Sequence, residues 1–511
     1  ISEKIAELLD TGKLEFLEKL KEEVPESLAE ILQVPDLGPK KVGLFWRELG
    51  ITDLGELDAA AKAGKLRDLS GMGAKSEAKV IAGIEALARR TDRIPLGKAW
   101  PAAQELLTFL REVPGVQAAE AAGSLRRMRA TVGDLDLLVA TSDPKPVMDA
   151  FTSREDVVRV LGQGEVKSSV EFDTGLRAQL WAHPPERFGT ALQYATGSKD
   201  HNVRLRERAL KLGLSLSDQA LKREDGSEIL CATEEEVYER LGLAWVPPEL
   251  REDRGEVAAA LDGKLPVLLE RSDLIAELHS HSTWSDGKLS IRDMADAAIE
   301  RGYKLLAITD HSVSLGVAGG LSPEDLINQR EEIDTVQAEL GDRLRLLQGA
   351  EVEIRADGGL DYEDEVLASL DIVIASLHVS LRQPRQQVTK RLINAIRNPH
   401  VDVIGHPTGR LIPDREGADL DMDAVLEAAA ESGVCLEINA HPSRLDLEDA
   451  YARRAIDMGI PLSVNADAHS ASDLDLVHFG VATARRGWVG PQHVINTWEP
   501  ERILNWLKSR G

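Results

Sequence analysis

The sequence predicts a multidomain protein: a helical front region, an α+β core, and a C-terminal α/β barrel, a distorted (βα)7 unit. Three observations carry that prediction. The chain has 511 residues, 43% hydrophobic and 29% charged, too long for one ordinary core and suited to two to four domains. From about residue 274 onward, short apolar runs alternate with amphipathic stretches, the pattern of parallel βα units. In the first 92 residues, an imperfect repeat of glycine-bearing turns separates helical stretches. The expected divisions are 1–92, 93–245, a connector with one helix at 246–273, and 274–511.

Composition narrows the function. No apolar run approaches the ~20 residues a spanning helix needs, so no membrane partner is expected. Cys231 and Cys435 are the only cysteines, which excludes a disulfide framework and fits a reducing cytoplasm. The chain opens on Ile1 with no visible signal peptide, and the expectation is that N-terminal residues precede it. The net charge of -26 argues, taken alone, against nucleic acid, because neutralising phosphates requires cations. The average hides local structure: residues 199–223 hold seven Lys or Arg against three acids. That is either a basic face or a solvated helix.

The front repeat pairs LQVPDLGPKKVGLF (32–45) with LRDLSGMGAKSEAKVI (66–81). Each gives an apolar residue, a turn, Gly-x-Lys and a helix. Such a turn exposes backbone N–H groups at a helix start, which suits a phosphate. The candidate positions are Gly38, Lys40, Gly71, Gly73 and Lys75, with Asp36 where the second copy has Gly71. Glycine C-caps on a plain helical pair are the simpler alternative. The repeat resembles the helix-hairpin-helix motif, which implies a grip on DNA backbone without sequence reading.

The middle region contains AAGSLRRMRATVGDLDLLVA (121–140). Asp134 and Asp136 alternate, so both carboxylates leave one face of a strand. Gly133 before them permits close approach, and two carboxylates can hold a divalent ion against a triphosphate. Gly123, Ser124 and Arg127 can hold the phosphate tail, the arginine through paired hydrogen bonds. An edge strand with exposed acids is the plainer reading of the DxD alone. With LQYATGSKDHNVRLRERA (192–209), the region resembles family X DNA polymerases, a nucleotidyltransferase fold with palm and thumb. The resemblance implies that Tyr194 and Gly197 lie in a nucleotide-gating segment. It further implies that Asn202 and Arg206 contact incoming nucleotide and template, with Mg2+ or Mn2+ as cofactor. Ala195 replaces that family's usual aromatic, which implies looser sugar selection.

Two further positions follow from the same resemblance. Aligning on HPPERFG (183–189) places Gln179 where the family has its third catalytic carboxylate. An amide cannot act as a base and binds magnesium less well; Glu171 or Asp173 on the preceding segment could substitute, with solvated acids as the plainer reading of those two. ISEKIAELLDTGKLEFLEKL resembles a lyase-domain helix, with Lys4 where relatives form a Schiff base; a solvated helix lysine is the blander reading.

In the rear region each apolar run ends at polar residues. The runs end at His279 and His281, Asp310 and His311, Glu351, His378, His406, Glu437 and Asn439, and Asp467 and His469. The carboxyl ends of the strands of a βα barrel form one face, where chemistry sits. Positions i and i+2 share a strand face, so His279 with His281, and Asp467 with His469, can grip one site. The ligand set is His279, His281, Asp286, His311, Glu351, His378, His406, Asp467 and His469. Nine ligands exceed one zinc-like ion and require two or three. Imidazole and carboxylate without thiolate suit Mn2+, Zn2+ or Fe2+. Clustered ions of this sort activate water and clamp a phosphoester. HSHSTWSDG, AITDH, GAEVEI, SLHVS, GHP and NADAH resemble the motif series of the PHP (polymerase and histidinol phosphatase) domain. That resemblance implies phosphoester hydrolysis at a trinuclear site. His400, His441, His478 and His493 have no ligand role in the pattern.

The order of regions resembles the bacterial and archaeal form of polymerase X. It implies a gap-filling repair polymerase with 3′–5′ exonuclease or 3′-end processing, acting on gapped or primer-template DNA and dNTPs in the cytoplasm, at the nucleoid. Two alternatives remain: a histidinol-phosphatase-like small-molecule phosphoesterase, and a DNA-binding scaffold with a weakened polymerase.

Overall fold

The computed structural model describes residues 24–510 apart from 26, 33, 35, 36 and 90–92. Lys4 and Asp36 lie outside the described residues. The chain divides into two compact units: residues 1–92 with 155–159 and 170–177, and residues 93–154 with 160–169 and 178–511.

The described residues of the 1–92 part of the first unit are helical. α1 (Leu28–Ile31), α2 (Pro39–Leu49), α3 (Leu54–Lys62) and α4 (Ala74–Arg89) surround a core that includes Ile31, Phe45, Leu57, Leu66 and Val80. Both halves of the sequence repeat start a helix directly after a glycine. Gly38 is the extended N-cap of α2, with Pro39 at its first turn, where a missing N–H costs nothing. Gly73 precedes α4, and Gly71 in the turn before it has φ +75°, a conformation that glycine adopts without steric cost. Asp53 caps α3 by accepting from the Glu56 N–H.

In the second unit, α5 (Leu96–Glu112) packs on β1 (Val116–Ala121) and β2 (Leu135–Thr141), which pair antiparallel. β3 (Arg177–His183) runs parallel to β2, with Gln179 opposite Asp136. The short helix α6 (Gly123–Arg126) follows β1. α7 (Phe188–Thr196), α8 (Lys199–Lys211) and α9 (Glu234–Arg240) complete this part. Arg251 and Glu252, in the stretch expected as a connector, are built into it: Arg251 is fully buried and its guanidinium grips Glu234 at 2.6 and 3.0 Å.

The rear of this unit is a parallel barrel in chain order: β4 (Ala276–Glu277), β5 (Leu305–Ile308), β6 (Arg345–Glu353), β7 (Ile372–Ser376), β8 (Val403–Ile404), β9 (Cys435–Asn439) and β10 (Leu462–Asn465). All six successive pairings are parallel. Just past the strand ends, a bridge from Ser280 to Ala468 nearly closes the ring. Helices α10 (Ile291–Glu300), α11 (Pro323–Leu340), α12 (Arg385–Ile396), α13 (Met422–Ser432), α14 (Asp449–Asp457) and α15 (Val477–Arg486) accompany the strands. Strands buried on both faces read as continuous apolar runs, which is why the sequence displayed them. Leu347 on β6 and Cys435 on β9 belong to one buried cluster, and the two-residue alternation of a strand puts Glu351 and Glu437 on the same faces.

Candidate metal centre and paired-carboxylate site

The nine candidate ligands converge. Glu351 sits at the middle of them: its Oε1 lies 2.7 Å from His406 Nε2 and 3.3 Å from His378 Nε2. Its Oε2 lies 2.9 Å from His311 Nδ1 and 3.5 Å from His279 Nε2. Asp467 Oδ1 is 3.1 Å from His281 Nε2 and 3.5 Å from His279 Nε2. Asp286 Oδ1 is 3.2 Å from His469 Nε2 and 3.5 Å from His311 Nε2. Three ligand groups emerge: His281, Asp286, His311 and His469; His279, His281 and Asp467; His311, Glu351 and His378. Two donors each about 2.1 Å from a shared ion stand about 3–3.5 Å apart, the spacing seen here.

The donor atoms fit divalent ions in a second way. His279 Nε2, His311 Nδ1, both carboxylate oxygens of Glu351 and both ring nitrogens of His406 are buried without a hydrogen-bond partner. Such atoms are costly unless something binds them. The electrostatics agree. Burial opposes a proton on His311, yet Glu351 and Asp286 outweigh it and push it up to about 10. His378, partly buried, is carried up to about 9 by Glu351 and Glu353, which outweigh desolvation. His281 goes the other way, down to about 3, through burial and the neighbouring His311 and His469. The carboxylates create a demand for positive charge that protons or divalent ions can satisfy, so ion binding releases protons.

Residues outside the nine orient them. Glu437 Oε1 accepts from His279 Nδ1 at 2.7 Å, and Glu437 Oε2 accepts from the His406 backbone N–H at 2.7 Å. Glu353 Oε2 holds His378 Nδ1 at 2.8 Å. Asn439 donates to Asp467 Oδ2 at 3.0 Å. Asp310, beside His311 in sequence, accepts from Ser282, Ser285 and Gln329. Glu353 was missed by the sequence reading; Glu437 was seen at a strand end without a role. Their signal is an acid in the apolar alternation of a buried strand. His441 turns its Nδ1 to Ser443 Oγ at 2.7 Å.

The second candidate site lies at the start of β2. Burial, and then the adjacent Asp134 carboxylate, push Asp136 up to about 7. Gln179 Nε2 donates to Asp134 Oδ2. Gly123 has φ +60°, and a Cβ there would collide with the Asp136 carboxylate. Ser124 follows Gly123 as the second residue of α6. Arg127 Nε donates to Glu252 Oε1 at 3.1 Å and Nη1 to the Thr196 carbonyl at 2.5 Å, next to Gly197. Tyr194 is exposed. Asn202 is buried, and its amide bonds Gln193 and the Tyr194 carbonyl, each at 2.8 Å; it braces the Tyr194–Gly197 turn. Arg206 Nε reaches the Asn202 carbonyl at 3.3 Å. Glu171 is buried and 3.5 Å from Arg177, whereas Asp173 is exposed.

The family profile of the DNA polymerase beta thumb matches residues 191–252, and that of the PHP domain matches residues 277–441. The DNA polymerase/3'-5' exonuclease PolX of Bacillus subtilis (strain 168) is 41% identical over 509 residues, spanning 99% of this chain and 88% of that protein. Probable phosphatases of Thermoanaerobacter sp. (strain X514) and Caldanaerobacter subterraneus subsp. tengcongensis are 32% and 36% identical over 249 and 215 residues. They span 46% and 39% of this chain and 96% and 78% of their own lengths.

Proposed function

The chain belongs to the bacterial family X DNA polymerase/3′–5′ exonucleases with a C-terminal PHP domain, and from that premise we propose how its two sites divide the work. It is an enzyme that extends DNA from dNTPs and shortens DNA from the 3′ end. In the polymerase half, Asp134 and Asp136 would hold a divalent ion, Mg2+ or Mn2+, against the triphosphate. Gly123, Ser124 and Arg127 would carry the phosphate tail, and the Tyr194–Gly197 turn, braced by Asn202, would border the base and sugar. In the barrel, the nine ligands from His279 to His469 would hold two or three ions chosen from Mn2+, Zn2+ and Fe2+. Divalent ions, when bound by these residues, would supply neutralisation of phosphate charge and a lowered pKa for coordinated water. The chain's own contribution is placement: Glu437 and Glu353 fix the rings of His279 and His378.

The helix starts at Gly38 and Gly73 support a DNA-backbone grip by Gly38, Lys40, Gly71, Gly73 and Lys75 that relies on amides more than on net charge. Gapped or primer-template DNA is the proposed substrate, and the divisions 1–92, 93–245, 246–273 and 274–511 are the proposed functional regions. No helix among the described residues is long and apolar enough to cross a membrane; the DNA substrate supports work at the nucleoid.

The observation that carries this reading is the convergence of nine side chains, Glu351 among them, from His279 to His469. The test is 5′-labelled gapped DNA with Mn2+. Laddered shortening and dNTP-dependent lengthening are the expected results. Gel retardation with neither activity would leave a DNA-binding scaffold and overturn the assignment.

A further inference from the structure

Arg486, the last residue of barrel helix α15, is 5% exposed at its side chain and reaches Arg127 and Glu252 in the polymerase half. Its Nη1 donates to the Arg127 carbonyl at 2.7 Å and to Glu252 Oε1 at 3.0 Å. Its Nη2 donates to Asp449 Oδ2 at 2.7 Å, an oxygen that Arg254 Nη1 also reaches at 3.0 Å. Glu252 Oε1 is the same atom that accepts from Arg127 Nε, and Arg129 approaches Oε2 at 3.7 Å. Four guanidinium groups therefore share two carboxylates. No acceptor among the described residues engages Arg127 Nη2.

We propose that Arg486 is a positioning residue for the polymerase site: by sharing Glu252 and bonding the Arg127 carbonyl, it loosens the hold of Glu252 on Arg127 so that this guanidinium can hold the triphosphate. The proposal rests on the reading of Arg127 given above. A carboxylate that serves two guanidinium groups neutralises neither fully. Burial disfavours the charge on Arg127, Glu252 supports it, and Arg486 and Arg129 oppose it, so the group is poised to gain from an incoming anion. Without Arg486, Glu252 belongs mainly to Arg127. A triphosphate must then displace an ion pair that only the more distant Arg129 still divides, and the backbone at Arg127–Met128 loses the donor that fixes it. The barrel thus tunes nucleotide affinity through one side chain that has no part in hydrolysis.

The test is steady-state gap filling by the full chain, with exonuclease activity measured on the same preparations as the check of folding. Arg486→Ala is expected to raise the KM for dNTP about 5–10-fold while kcat changes less than about threefold and exonuclease is retained. Adding Glu252→Gln to that variant is expected to restore most of the KM, because the competing charge is gone. Arg486→Lys, which keeps one charge and the fold, is expected to fall between. Arg127→Ala separates the two claims. If it raises KM and Arg486→Ala does not, the proposal fails alone. If Arg127→Ala leaves KM unchanged, the reading of Arg127 fails and takes the proposal with it. A loss of kcat and exonuclease together at constant KM would show a structural role only and would also overturn it.

Discussion

Gln179 and Asp134 are joined by a hydrogen bond: the amide Nε2 on β3 donates to a carboxylate oxygen at the start of β2. Gln179 also stands opposite Asp136 in the strand register. The amide therefore occupies the position beside the carboxylate pair, and it occupies an oxygen that a cation would use.

Replacing Gln179 by Asp adds a third carboxylate there and frees that oxygen of Asp134. The expected outcome is a rise in primer extension of about tenfold or more, the lower end of what a placed acid-base group contributes. Single-turnover extension of a gapped substrate measures it. An unchanged or slower rate in a folded variant would mean that the missing acid does not limit catalysis.

His281 belongs to two of the three ligand groups in the barrel, and it is fully buried. His281→Ala is expected to lower bound metal and to reduce 3′ shortening by about 100-fold or more. Primer extension is expected to stay within about twofold, since Asp134 and Asp136 belong to a separate constellation. Elemental analysis with the labelled-DNA assay reads all three quantities. Loss of both activities without misfolding would argue against separate sites.

What the sequence made legible follows from periodicity. The seven strands were visible because parallel strands are apolar on both faces, and the polar residues that interrupt them mark the strand ends. His279 and His281 were readable as a pair through the two-residue repeat alone. The helix starts at Gly38 and Gly73 were readable from glycine and proline. Glu353 was not, because an acid inside an apolar run does not announce whether it meets an ion or a histidine. Nor was the link between Arg127 and Arg486, which are 359 residues apart. No local pattern encodes a contact that depends on how one packed region lies against another.

Glu353 gives the next expectation. Its Oε2 meets His378 Nδ1 at 2.8 Å and its Oε1 meets Arg391 Nη2 at 3.2 Å. It fixes which nitrogen of His378 faces Glu351, and it keeps the ring electron-rich. Glu353→Gln preserves size but weakens both effects. Metal affinity is expected to fall about 10–100-fold, with activity partly recovered at high Mn2+. A titration of exonuclease rate against Mn2+ would show the shifted midpoint; an unmoved midpoint would reduce Glu353 to packing.

Glu234 offers a test of stability. It is 4% exposed and accepts from Arg251 at 2.6 and 3.0 Å and from Arg126 at 2.8 and 2.9 Å. Burial opposes its ionisation, but Arg251 and Arg126 outweigh burial and hold it down at about 2. The folded value lies below the ordinary glutamate value of about 4.3. The unfolded chain therefore binds the proton more readily, and stability from this group is present above that value and is lost as pH falls toward 2. Glu234→Gln leaves Arg251 buried without its counter-charge, so the variant is expected to lose about 3–5 kcal/mol near neutrality. Its stability should then change less than that of the unaltered protein between pH 4.5 and 2, because the titrating group is gone. Urea midpoints across that range read both effects. Parallel curves for the two proteins would show that Glu234 does not supply the acid sensitivity, whatever its effect at pH 7.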